Sequence, residues 1–211
     1  MLRKELLLEW KQKYALNGLL LYVASMVTVV ALAAGGELTP PVWNILYWVL
    51  VLFAAINAIA KSFAAEREGH LIYLYTLARP AAIILAKLIY NTLLLFAVAG
   101  LTLLLFVLLS GMSILRPGLM LGLLALGACT LSATLTLLSA MAAKAENRST
   151  LLAVLSFPLL VPTLLMLLKL SGAGLIPDAA PPAAQNLIFL AAMAVVLTAV
   201  SVILFPFVWR D

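Results

Sequence analysis

Residues 88–109 read LIYNTLLLFAVAGLTLLLFVLL, and this stretch contains no charged side chain. A helix of about 20 residues crosses the ~30 Å hydrocarbon core of a bilayer, because each residue adds about 1.5 Å. The whole chain has the same character, since 66% of its 211 residues are hydrophobic and only 10% are charged. Soluble domains are roughly 45–50% apolar and about 25% charged. The sequence therefore predicts an all-α membrane protein.

Five further segments are long and apolar enough to cross a membrane. The six predicted spans are 18–34, 42–60, 88–109, 119–143, 151–168 and 187–205. With these spans, all basic residues except Arg116 and Lys169 fall on one side. Because lysine and arginine concentrate in cytoplasmic connections, that side is predicted to be cytoplasmic and to hold both termini. We expect one transmembrane domain over residues 1–211.

The first 17 residues combine charge with a regular apolar pattern. Apolar or aromatic side chains recur there every four residues, at Leu2, Leu6, Trp10 and Tyr14. This spacing predicts an amphipathic helix lying along the membrane surface, although a charged topogenic tail explains it equally well. The ALAA that follows at 31–34 resembles a signal-peptide cleavage site, but Glu5 and Glu9 are unusual in such a peptide. An uncleaved first span is favoured.

Catalytic and energy-coupling motifs are absent from the sequence. The eight acidic residues lie outside the predicted spans, and the chain has a single histidine. It contains no GxSxG, no HExxH and no GxxxxGK[ST] phosphate-binding loop. Its basic residues are scattered at the ends of apolar runs, which argues against nucleic-acid binding. We therefore predict no enzyme activity in this chain, and any transport would take its energy from a partner.

Neutral polar residues do occur within the predicted spans. They are Asn57, Asn91, Thr92, Thr102, Ser132, Thr134, Thr136 and Ser139. Such residues can line a weakly polar cavity, but more often they form hydrogen bonds between closely packed helices. GLMLG at 118–122 also matches a small-xxx-small packing motif.

The fifth span contains two prolines four residues apart, Pro158 and Pro162. Each removes a backbone donor and leaves a carbonyl without its usual partner. The pair predicts a kink in this helix, which is either purely structural or a hinge beside a transport path.

The segment EREGHLIYLYTLARP, residues 66–80, interrupts the apolar runs on the predicted cytoplasmic side. Its apolar centre is long enough for about two turns of helix at the interface, where tyrosine is common. The helix would end at Arg79, because a residue before proline disfavours the helical conformation. Such a short helix can contact a cytoplasmic partner, or it can be an interfacial anchor without one.

Two stretches carry a resemblance to a known family. KSFAAEREGHLIYLYTLARPAAIILAKLIYN (61–91) and LSFPLLVPTLLMLLKL (155–170) resemble the cytochrome c maturation B family, the permease subunits of the haem-exporter ABC complex. The two ends of the chain are also similar to family members. One departure is visible at residues 70–73, where HLIY follows the glycine in place of the Leu-Glu-Gln type of sequence that many members carry.

The resemblance implies a six-helix permease of the ABC-2 exporter type in the bacterial inner membrane. Two permeases would face two ATPase subunits of the cytochrome c maturation A type, which bind the ATP. Other implied partners are the haem-handling membrane protein of the cytochrome c maturation C type and the haem chaperone of the E type, and haem is a possible cargo. The segment 66–80 would be the coupling helix that docks on the ATPase, with contacts from Glu66, Arg67, Glu68, Gly69, His70, Leu71 and Leu74. A role for His70 as a haem ligand is disfavoured by its predicted cytoplasmic position.

Two alternatives stay open at this point. An ABC-2 exporter of a lipid, glycan or drug would have the same architecture. A membrane scaffold that assembles other proteins without transport would also need no catalytic group.

Overall fold

The structure, a computed structural model, describes residues 13–35, 38–64, 80–142, 148–176, 182 and 184–208. All the regular structure in these ranges is α-helical. The six helices are α1 (Lys13–Ala33), α2 (Pro40–Ala64), α3 (Pro80–Ser110), α4 (Pro117–Ala142), α5 (Arg148–Leu175) and α6 (Ala184–Val208). The predicted all-helical fold is confirmed for this part of the chain.

Proline and glycine mark the helix ends. Pro40, Pro80 and Pro117 are the first residues of α2, α3 and α4. Proline is well suited to this position, because the first N–H groups of a helix have no intrahelical acceptor. Gly111 follows the last residue of α3 with a φ of 68°, and its N–H donates to the Val107 carbonyl at 3.0 Å. This left-handed conformation, which favours glycine, ends the helix.

Five of the described helices, α2 to α6, contain an apolar stretch long enough to cross a membrane. The apolar part of α1, Asn17–Ala33, is shorter. Helices suit lipid because they satisfy their backbone hydrogen bonds internally. The length and composition of these helices are those of a multi-pass membrane protein.

The helices extend beyond the predicted spans where a lysine had suggested a boundary. Helix α3 begins at Pro80 rather than at residue 88, and α5 continues to Leu175 rather than ending at 168. Lys87 and Lys169 therefore lie inside helices. Lys169 is exposed, whereas Lys87 is only 1% exposed and lies within the protein interior. The predicted surface helix over 1–17 and the predicted coupling helix over 66–80 fall almost entirely outside the described residues.

Helix α4 is the centre of the bundle. It packs against α2, α3, α5 and α6, and each residue from 131 to 139 is buried. In its membrane-length stretch 72% of residues are buried, compared with 17% in α6, which lies at the periphery.

The bundle has two ends that differ in chemistry. We call the end that contains Trp43 and Ser110 the tryptophan end, and the end that contains Lys87 the lysine end. The connection between α3 and α4 lies at the tryptophan end and is fixed there. The N–H groups of Leu115 and Arg116 donate to the Gly174 carbonyl near the end of α5, at 3.1 and 3.2 Å.

Candidate functional site

The predicted ATPase-docking residues lie outside the described part of the chain. These residues, Glu66, Arg67, Glu68, Gly69, His70, Leu71 and Leu74, belong to the range 65–79 between α2 and α3. The docking role of this segment stays a prediction. The helix that follows this segment, α3, begins at Pro80.

The two prolines lie within α5, and the helix continues through both. Pro158 and Pro162 are exposed, and their spacing of four places them on the same face. The nitrogen of Pro162 cannot donate to the carbonyl of residue 158, so this turn has fewer backbone hydrogen bonds than its neighbours. Close by, the Thr163 hydroxyl donates to the Leu159 carbonyl at 3.3 Å. The predicted hinge role stays open.

A group of side chains at the tryptophan end ties α2 to α3 and α5. We call this group the tryptophan lock, and it consists of Trp43, Asn44, Trp48, Ser110 and Ser171. The Trp43 indole N–H donates to the Ser110 hydroxyl, and the Trp48 N–H donates to the Ser171 hydroxyl, both at 2.8 Å. Asn44 Nδ2 donates to the Leu168 carbonyl at 2.8 Å, and Ser171 Oγ donates to Asn44 Oδ1 at 2.7 Å.

Aromatic packing reinforces the tryptophan lock. The Trp43 ring is stacked on Phe106 of α3, with centroids 4.9 Å apart, and on Tyr47, with centroids 5.6 Å apart. Trp43, Tyr47, Trp48 and Phe106 are at most 1% exposed. These rings fill the space between α2 and α3 at the tryptophan end.

The lysine end contains a second polar group, between α3 and α4. We call it the buried polar seam, and it consists of Lys87, Asn91, Ser132, Thr136 and Ser139, all at most 3% exposed. Asn91 Nδ2 donates to Thr136 Oγ1 at 2.9 Å, and Ser132 Oγ donates to the Leu88 carbonyl at 3.4 Å. A lysine this deeply buried is costly in a membrane protein, and such residues commonly have a functional role.

Most of the neutral polar residues singled out from the sequence form hydrogen bonds, either between helices or within their own helix. Asn91 and Ser132 form hydrogen bonds between helices. Asn57, Thr102 and Thr134 donate to a carbonyl of their own helix.

Thr92 instead contributes to a cavity. This cavity is open at the surface of the bundle, has a volume of about 260 Å³ and lies beside another open cavity of about 490 Å³ between α4 and α6. Cys129 and Thr198 line both cavities, and the remaining lining is almost entirely apolar. Nothing in these linings would hold a charged ligand in place.

Candidate metal ligands do not cluster in the described residues. No group of three or more His, Cys, Asp or Glu side chains occurs there. All eight acidic residues and His70 lie outside the described ranges. The described bundle therefore presents packing and hydrogen bonding rather than a catalytic or metal-binding arrangement.

Sequence reasoning missed both the tryptophan lock and the burial of Lys87. The signal for the lock was present in PVWNILYW (41–48), where aromatic and amide side chains recur at helical spacing. The signal for Lys87 was Pro80, which is well suited to the first position of a helix.

The comparisons with known proteins identify a family. The family model described as CcmB protein matches residues 1–210. No curated protein and no solved structure matches the chain.

Proposed function

The chain belongs to the CcmB protein family, and on this basis we propose that it is the permease of an ABC transporter for cytochrome c maturation. It would couple ATP hydrolysis by a separate ATPase to export of haem or to release of the haem-loaded chaperone. The observation that carries this proposal is the family match over residues 1–210. The long apolar helices α2 to α6 suit a permease.

In the proposed complex, ATP binding is assigned to the partner subunit and not to this chain. This chain has no phosphate-binding loop, so ATP would be bound by the partner. Two permeases would face two ATPases, because ATP is normally bound between two such subunits. The haem-handling membrane protein of the C type and the haem chaperone of the E type are the further proposed partners.

The proposed orientation places the lysine end in the cytoplasm of the cell and the tryptophan end outside the inner membrane. Both termini would then be cytoplasmic, as the distribution of basic residues indicates. Segment 66–80 would contact the ATPase at the lysine end.

The two ends of the bundle suggest how a movement of the docked segment could reach the membrane helices. Helix α3 begins at Pro80, directly after the proposed docking segment, and its first turns contain Lys87 and Asn91. A displacement of that segment would therefore act first on the buried polar seam between α3 and α4. The tryptophan lock, with its indole and amide hydrogen bonds, would hold the opposite end fixed.

A deletion strain tests the proposal. Loss of every c-type cytochrome in haem-stained gels, with b-type haem intact, is the expected result. A plasmid copy of the gene should restore the c-type bands, which controls for effects on neighbouring genes. Normal c-type cytochromes in the deletion strain would overturn the proposal and favour a different cargo or a scaffolding role.

A further inference from the structure

Two polar atoms in the buried polar seam lack a hydrogen-bond partner. Among the described residues, Asn91 Oδ1 and Ser139 Oγ are buried and have no donor or acceptor within reach. Asn91 is 0% exposed and Ser139 is 3% exposed. A buried polar atom without a partner destabilises a protein by about 1–3 kcal/mol, and an unseen water is a common explanation for one.

The orientation of Ser139 makes it unusual in this chain. Most described hydroxyls on these helices donate to the carbonyl four residues earlier, as in Ser25, Thr28, Thr102, Thr130, Thr134, Thr163 and Thr198. This local bond satisfies a hydroxyl inside a membrane helix without any second helix. Ser139 does not make it. Its hydroxyl is therefore available for a partner outside its own helix.

Asn91 and Ser139 are connected through Thr136. Asn91 is in direct contact with Thr136, and Ser139 follows Thr136 by three residues on the same face of α4. At this spacing the Cβ atoms of Thr136 and Ser139 are about 5–6 Å apart, so Ser139 lies within one helical turn of the residue that Asn91 contacts. A water that makes two hydrogen bonds of about 2.8 Å spans a similar distance. We propose that the buried polar seam binds one water molecule between Asn91 Oδ1 and Ser139 Oγ.

Lys87 belongs to the same buried polar seam. It lies four residues before Asn91, so the two side chains share a face of α3. A buried water typically makes two to four hydrogen bonds, and Asn91 and Ser139 supply two of them.

The variant Ser139→Ala should shift the unfolding midpoint in opposite directions, depending on whether the seam contains a water. If a water is bound, the variant leaves that water and Asn91 with one partner fewer. The unfolding midpoint of the detergent-solubilised full chain should then fall by about 2–4 °C, which is the shift that about 1 kcal/mol produces in a chain of this size. If the seam contains no water, the variant removes an unsatisfied buried hydroxyl, so the midpoint would rise. A rise would overturn the proposal.

A double-mutant cycle tests whether the two residues share the water. Substitutions of two residues that share a partner have non-additive effects, so a shared water predicts coupling between Asn91 and Ser139. We expect the shift caused by Ser139→Ala to shrink in an Asn91→Leu background. The control pair is Ser139→Ala with Thr130→Val, because Thr130 bonds to its own helix and should give additive shifts. Additivity in both pairs would contradict a shared water.

Radiolytic labelling in ¹⁸O water examines the unmodified protein and does not depend on variants that fold. Hydroxyl radicals formed from a buried water should add ¹⁸O to neighbouring side chains such as Leu135 or Leu138. Leu123 and Leu124 are about equally buried and lie at least 12 residues before Thr136 on the same helix, so they should stay unlabelled. Equal absence of label at both places would count against the water site.

Discussion

At the residue scale, Gly127 has the closest neighbours of the described glycines. A Cβ atom there would lie 2.9 Å from Cη2 of Trp48 and 3.2 Å from Cδ2 of Leu167. Trp48 cannot easily move away, because its indole N–H is bonded to Ser171. We expect Gly127→Ala to destabilise the protein by about 1–3 kcal/mol, the usual cost of overpacking, and to lower the thermal unfolding midpoint in detergent.

Gly122 on the same helix is the matched control for Gly127. A Cβ atom at Gly122 would meet nothing within 4 Å, so Gly122→Ala should leave stability unchanged or raise it slightly through better helix propensity. If the two variants melted at the same temperature, the tight contact at Trp48 would not limit packing. The sequence pointed to Gly118 and Gly122 through their spacing, yet a Cβ atom at either would meet nothing within 4 Å in the described chain. Spacing alone cannot reveal a close approach that depends on a tryptophan from α2.

At the element scale, the positions of the helices could be predicted from the sequence. Helices α3 and α5 are nevertheless longer than the membrane spans predicted for them. Lipid requires each spanning segment to satisfy its own backbone, so a long apolar run is a reliable signal for a helix. Charge is a weaker signal for its end. Lys87 is surrounded by protein rather than lipid, and Lys169 lies only six residues before the end of α5, where a long side chain can extend toward water. Both helices therefore continue through a lysine.

The prediction at this scale concerns the prolines of α5. Replacing Pro158 and Pro162 together with alanine restores two backbone donors, so the helix should become stiffer and no less stable. If the proline pair is a hinge, c-type cytochrome levels should fall while the amount of permease in the membrane is unchanged. Leu159→Ala with Leu165→Ala is the control, since both leucines are exposed on the same helix. Normal cytochrome levels in the proline variant would leave the prolines with a structural role only.

At the scale of the whole molecule, the chain is a helical membrane bundle for which we propose a partner as the source of energy. The family and the fold class could be recognised from the sequence, because they rest on long motifs and on composition. The contacts inside the bundle could not, since α2 reaches Ser171 across more than 120 positions of the chain. Charged side chains that would engage a partner are concentrated outside the described helices.

Capture of the ATPase tests the proposed link between the permease and its energy source. Replacing Glu66, Arg67 and Glu68 together with alanine removes the charged start of the proposed docking segment, and we expect at least a several-fold loss of co-purified ATPase. Membrane insertion should be unchanged, because α2 and α3 keep their apolar stretches. Lys144→Ala with Glu146→Ala is the matched control, as it removes opposite charges from another connection on the same predicted side. Full ATPase capture and normal cytochrome c assembly in the triple variant would show that docking relies on another surface. An equal loss in both variants would indicate a general effect of charge at the lysine end.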